Sequence, residues 1–204
     1  MLTFDHLVFT ADALDDGALA LENALGVPLA PGGTHPAMGT HNRLLSLGPD
    51  DYLEVIAIDP DAPPPDRPRW YNMDAFSGPP RLTNWACRTE DLEAALGALP
   101  PETGVPMALA RGELRWRMAV PHDGVLAFGG WGPALLQWQG KEHPAVLLPD
   151  RGVRLARLTL THPEARVLSD LIAPLLDDPR IVFETAPAPG LTVELATPKG
   201  LVTL

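Results

Sequence analysis

Residues 2–14, LTFDHLVFTADAL, and residues 52–58, YLEVIAI, decide how this chain folds and where its chemistry sits. The first stretch alternates with a period of two. Leu2, Phe4, His6 and Val8 fall on one face, and Thr3, Asp5, Leu7 and Phe9 on the other. The second is apolar on both faces, as a buried strand is, except at Glu54. An ionised carboxylate in such company costs several kcal/mol unless it is paired or bound to a cation. His6 stands in a similar setting, between Phe4 and Val8. If the two strands are neighbours, His6 and Glu54 point into one concavity. An imidazole and a carboxylate make half of a site for a divalent metal such as zinc, iron, manganese or nickel. They equally make a hydrogen-bonded pair in a metal-free cavity that holds a ligand.

Working outward, Asp12 or Asp15 can cap a helix with apolar positions Leu14, Ala18, Leu21 and Leu25, closed by Gly26. A short strand, VPLAP, a glycine-rich loop, GGTHPAMG, and a strand, THNRLLSLG, lead through the turn GPDD to YLEVIAI. The order is βαβββ. It recurs from Arg81, where RLTNWACRTEDLEAALGAL supplies strand and helix, and VPMALAR, ELRWRMAVP and PALLQWQG supply three strands. Asn84 falls in the place of His6, and Gln137 in the place of Glu54. A third, shorter copy opens near Gly152, with Pro163 at the first turn of its helix and IVFET, LTVELAT and LVTL as its strands.

The organisation expected is therefore modules at 1–58, 81–140 and 152–204, with a proline-rich linker at 59–80, in one compact domain. The fold class is α+β: βαβββ modules whose mixed sheets form a half-open barrel with helices outside. Two modules enclose the cavity, and the third is appended or takes part in the pairing. Pro63–Pro65 bar helix and central strand from the linker. Trp70, Tyr71 and Phe76 make it too apolar for a free tether, so it lies along the surface or walls the cavity. Residues 121–133, PHDGVLAFGGWGP, could lid a pocket.

Composition narrows the function classes. The 204 residues carry a net charge of -11, which argues against nucleic acid as a partner, since phosphate binding draws on clustered Lys and Arg. Two lysines, Lys141 and Lys199, leave little for a P-loop, a Schiff base or a polybasic membrane patch. One cysteine, Cys87, excludes an internal disulfide framework and a cysteine zinc cage. None of the three serines lies in a Gly-x-Ser-x-Gly context. The opening residues show no basic region followed by a long apolar stretch, so a cytoplasmic protein without membrane contact is expected.

FDHLVF at residues 4–9, GTHN at 39–42 and YLEVIA at 52–57 resemble the vicinal oxygen chelate superfamily, in particular its glyoxalase-like branch. That resemblance implies paired βαβββ modules around a cavity, with metal ligands on the first and last strand of each. It implies a lyase, isomerase or dioxygenase acting on a small oxygenated substrate bound to a divalent metal, and a homodimer. His6 and Glu54 fall at first-module ligand positions. Asn84 and Gln137 replace the stronger ligands of the second, so a weak site of His6, Glu54 and Gln137 is one outcome. A metal-free binding or sequestering protein on the same fold is the alternative. Glu54 would be ligand or base. His41 and Asn42 before the third strand, Asn84, and Trp116 are candidates for substrate contact, and His35 could also face the cavity mouth. Trp116 alternates with Arg115 and Arg117; a wall of tryptophan with the arginines in water is the expected arrangement.

Overall fold

The computed structural model of the chain describes residues 1–140 and 142–204. The first module runs β1 (Leu2–Thr10), α1 (Leu14–Leu25), β2 (Ala30–His35), β3 (Thr40–Ser46) and β4 (Tyr52–Ile58). The second runs β5 (Arg81–Thr89), α2 (Leu92–Gly97), β6 (Val105–Arg111), β7 (Leu114–Val120) and β8 (Ala134–Gln139). Together they form one eight-stranded sheet in the order β2-β3-β4-β1-β5-β8-β7-β6. Each module pairs its first strand in parallel with its last, β1 with β4 and β5 with β8, and β1 meets β5 antiparallel at the centre. The sheet curls into a half-barrel, as the repeat order predicts.

Two apolar clusters sandwich this sheet. On the convex side Leu7, Phe9, Leu53, Val55, Trp85 and Leu135 pack against Leu21 and Leu25 of α1 and Leu92 of α2. On the concave side Val8, Ile56, Ala86, Trp116, Met118 and Leu136 pack against Trp70, Tyr71 and Met73 from the proline-rich segment. That segment is thus a strap across the concavity. It holds Tyr71 and Asn72 at φ 57° and 53°, and the Asn72 N–H donates to Gly124 O at 2.9 Å. Positive φ at a tyrosine costs of order 1–3 kcal/mol and persists because burial of the two aromatic rings holds the turn.

Helix α1 ends as expected, with Gly26 at φ 71° and its N–H on Glu22 O. Its start differs. Ala13 is the N-cap without a side-chain bond, while Asp12 instead accepts from the Gly78 N–H at 3.1 Å and so ties the strap to the helix.

After a one-turn α3 (Pro144–Leu147) comes the third unit: β9 (Arg154–His162), α4 (Ala165–Ile172), β10 (Ile181–Thr185), β11 (Gly190–Thr197) and β12 (Gly200–Thr203). Its element order repeats the modules, but its sheet order is β10-β9-β11-β12. The strand after its helix returns directly beside β9 in parallel, instead of crossing to the far edge as β2 does. Buried Leu158, Leu160, Leu168, Val193 and Leu195 join the convex cluster, and Phe183 packs edge-on to Trp85. The third unit therefore backs the barrel and contributes nothing to its cavity.

Two local expectations change. In β1 the pairing with β5 shifts register between Phe4 and His6, leaving Asp5 as an extra, bulged residue. Leu2 and Phe4 accordingly join the convex cluster, not the face of His6 and Val8. Gly32 and Gly33 lie inside β2, at a register shift between Pro31 and Thr34, and not in a loop.

Candidate functional site

His6 and Glu54 do converge. β1 and β4 are parallel neighbours with His6 opposite Tyr52 and Glu54 opposite Val8. His6 Nε2 lies 3.8 Å from Glu54 Oε2, with the residues 3% and 6% exposed. Both line a cavity of about 20 Å³, bounded also by His35, Tyr52, Trp70, Tyr71, Arg111, Trp116, Met118, Leu136 and Trp138. That volume suits roughly one water molecule. The wall is aromatic: the His6 ring stacks on Tyr52 with centroids 4.5 Å apart, and Trp116 tilts against Trp138 at 5.4 Å. Burial pushes the Tyr52 and Tyr71 phenols well above their ordinary value, so both remain neutral donors.

The bulged Asp5 orients the imidazole. Its carboxylate is fully buried and accepts from His6 Nδ1 at 2.6 Å, His143 Nε2 at 3.0 Å and Trp138 Nε1 at 3.0 Å; Arg88 stands 3.6 Å away. Burial alone would raise its pKa. The hydrogen bonds from His143 and His6 outweigh burial and hold the carboxyl far below the usual range. His143 Nδ1 accepts the Ala145 N–H at 3.2 Å, which leaves its Nε2 to donate to Asp5. A proton on His6 Nδ1 leaves Nε2 facing the cavity, and that buried atom has no hydrogen-bond partner.

Glu54 is oriented from β3. Asn42 Oδ1 accepts the Gly33 N–H at 2.9 Å, which turns Asn42 Nδ2 toward Glu54 Oε1, to which it donates. Gly32 makes this approach feasible: a Cβ there would sit 2.1 Å from Asn42 Oδ1 and 2.3 Å from its carbonyl oxygen. Gly32→Ala is expected to cost about 2–4 kcal/mol by displacing β2 from Asn42. In thermal melts Gly97→Ala, where no atom lies within 4 Å of the new Cβ, is the neutral control.

His35 closes the group. Its Nε2 is 4.0 Å from Glu54 Oε1, and its Nδ1 pairs with Thr40 Oγ1 at 3.0 Å. Burial lowers its pKa from 6.5 to about 4, although Glu54 pulls the other way. The folded value lies below the unfolded one, so the unfolded chain takes up the proton first. Stability from this site is complete above about pH 6.5 and falls by about 3 kcal/mol as pH drops toward 4. Urea midpoints measured across that window should slope downward on acidification. His35→Gln should flatten that slope.

The other expected site residues divide. Asn42 and Trp116 reach the site, and Arg117 turns outward to pair with Glu93. Gln137 does not reach it. β8 presents Leu136 and Trp138 to the cavity, and the intervening Gln137 faces α2, where its Nε2 donates to Glu90 O at 2.6 Å. Strand alternation puts it on the wrong face. His41, one residue before Asn42 on β3, is turned from the cavity for the same reason. Asn84 is buried, but its Nδ2 donates to Gly130 O at 3.1 Å, and it borders a separate pocket of about 150 Å³ behind Tyr71. Asp5, Tyr52, Arg111, Trp138 and His143 escaped sequence reasoning. A bulge brings in Asp5, a hairpin end Arg111 and the N-cap of α3 His143, while Tyr52 and Trp138 stand on β4 and β8. The one available signal was an acid beside the histidine in FDHLVF.

This donor set does not fit the four-ligand metal centre implied by the family resemblance. In the second module Ala134 stands opposite Ala86 as Glu54 stands opposite Val8, so no ligand occupies that position. Among the described residues no three His, Cys, Asp or Glu side chains are arranged to hold a metal ion. Among them, too, no helix is long and apolar enough to cross a membrane.

Residues 4–176 match the family described as glyoxalase-like domain. No curated protein matches the chain. Among solved structures, a hypothetical protein from Staphylococcus aureus aligns over 100% of this chain and 84% of its own, with 14% identity and a TM-score of 0.59, a likeness of fold. The methylmalonyl-CoA epimerase from Mycobacterium tuberculosis aligns over 68% of this chain and 88% of its own at 19% identity, TM-score 0.45. A Streptomyces coelicolor methylmalonyl-CoA epimerase variant in complex with 2-nitronate-propionyl-CoA covers 70% of this chain and 100% of its own at 13% identity, TM-score 0.45.

Proposed function

We propose, from the premise that this chain belongs to the glyoxalase-like domain family of the vicinal oxygen chelate superfamily, that it moves a proton next to a carbonyl of a small oxygenated molecule, as an isomerase or lyase does. The observation that carries this is the unpartnered His6 Nε2, with its ring held by Asp5 and the atom 3.8 Å from Glu54 in a small cavity. Glu54 acts as base: the substrate C–H bond breaks, its proton goes to the carboxylate, and the electron pair is drawn onto the carbonyl oxygen. His6, oriented through Nδ1 by Asp5, presents Nε2 to that oxygen as the group that exchanges a proton with it. Return of the Glu54 proton to the neighbouring hydroxyl-bearing carbon, as that carbon's O–H proton passes to His6 Nε2, completes an isomerisation. No step is routed through a metal ion, because Gln137, the ligand expected from the second module, turns away from the cavity.

The test is hydrogen exchange in deuterium oxide. Small hydroxyketones and 2-oxo acids are followed by proton NMR, with and without chelator. Exchange above the protein-free background that persists in chelator is the expected result. Exchange lost in chelator and restored by zinc or manganese would replace this reading with a metal-dependent one. The aromatic wall of the cavity favours the alternative of a binding protein without turnover. Ligand binding with no exchange at any carbon would establish that alternative.

A further inference from the structure

We infer that Arg111 is an anion-binding residue that selects substrates carrying a carboxylate or phosphate group beside the reacting carbonyl; this rests on the proton-transfer reading of the same cavity. Arg111 ends β6 at its hairpin with β7. It borders the small cavity that holds His6 and Glu54. It also borders an open pocket of about 570 Å³ formed by Gly32, Gly33, Leu44, Leu114, Pro144 and Leu147. Among the described residues no other lines both spaces.

Among the described residues Arg111 has no carboxylate within ion-pair distance, and no side-chain hydrogen bond occupies its guanidinium. Most other arginines of the barrel are engaged: Arg43 with Asp15, Arg69 with Asp74, Arg117 with Glu93, and Arg88 with Phe4 O and Asp50 O. Glu113 and Glu142 lie on the outer rim of the open pocket and are exposed, so water screens them. The Arg111 stem lies against Gly33, where a Cβ would come within 3.0 Å of Cγ and 3.1 Å of Cδ. The glycine pair that seats Asn42 therefore also makes room for this side chain.

The charge has a chemical use. A base such as Glu54 repels an anionic substrate brought close to it, and a cation at the boundary of the cavity offsets that repulsion. A guanidinium matches the two oxygens of a carboxylate or phosphate in one plane. Spanning both spaces, it can hold the anionic group at the pocket side while the carbonyl reaches His6 and Glu54.

The experiment compares pyruvate, hydroxyacetone and dihydroxyacetone phosphate as probes of the full chain, read by quenching of tryptophan fluorescence, since Trp70, Trp116 and Trp138 wall the cavity. Pyruvate and hydroxyacetone differ in replacing a carboxylate by a neutral hydroxymethyl group. Pyruvate or the phosphate ester should bind at least about tenfold more tightly than hydroxyacetone. Whichever of the two binds better identifies the anionic group. Arg111→Gln should erase the difference, Arg111→Lys should retain part of it, and Arg166→Gln on the exposed face of α4 should change nothing. Equal binding of charged and neutral probes, no anion binding by the wild type, or an unchanged preference in a folded Arg111→Gln protein would each overturn the inference. Anion preference without deuterium exchange would remove the proton-transfer reading and leave the anion site. Exchange indifferent to the anionic group would do the reverse.

Discussion

Glu54→Gln is expected to lower the deuterium-exchange rate by roughly 10²–10⁴-fold, the usual contribution of a positioned base. The substitution keeps the shape of the side chain. Its amide oxygen can still accept from Asn42 Nδ2, and its new N–H₂ group faces the unpartnered His6 Nε2. Thermal stability should therefore stay level or rise while activity collapses. Glu93→Gln, at an exposed carboxylate paired with Arg117, is the control and should exchange normally. A loss of exchange that merely tracks a loss of folded protein would count against Glu54 as the base. So would full activity in the glutamine variant.

Asp5→Ala should be the most damaging of these substitutions to the fold. It strands three donors around one emptied position: His6 Nδ1, His143 Nε2 and Trp138 Nε1, with Arg88 close by. Removing one partner from such a buried network costs about 3–5 kcal/mol. For a chain of this length that corresponds to a fall in Tm of roughly 10 °C. The effect has a pH signature. The folded pKa of Asp5 is lowered, so its contribution is present above its unfolded value of 3.8 and is lost as pH falls below it. Wild type and variant melts should diverge at neutral pH and approach each other in acid. The His35 slope lies in the window above, between about 6.5 and 4, so the two acid effects separate on a single titration. Melts that stay equally far apart at every pH would show that Asp5 stabilises by packing rather than by its charge.

The candidate site was legible in the sequence as far as burial makes a polar residue conspicuous. Glu54 stands out because YLEVIAI is otherwise apolar, and a charge there needs a partner. Asn42 came with His41 from the GTHN motif, and Trp116 from its alternation with Arg115 and Arg117. Gln137 shows the limit of phase: strand alternation turns it to the flank of α2, and the register sets Ala134, not Gln137, in the place of Glu54. Asp5 shows the other limit. Simple alternation puts it on the face of Leu7, and only the slip in pairing against β5 turns it toward His6, Trp138 and His143. Arg111 and His143 stand far from His6 in the chain, and nothing local marks them.

Local chemistry alone determined the elements. Period-two runs made the strands, Gly26 stopped α1, the prolines kept residues 59–80 out of regular structure, and a carboxylate among apolar neighbours announced a site. Tertiary structure decided which modules share a sheet, that the third unit backs the barrel instead of lining it, and which side chains surround Glu54. The reason is that strand propensity and burial are written residue by residue, whereas register, sheet order and a bulge are settled by pairing energies between segments dozens of residues apart.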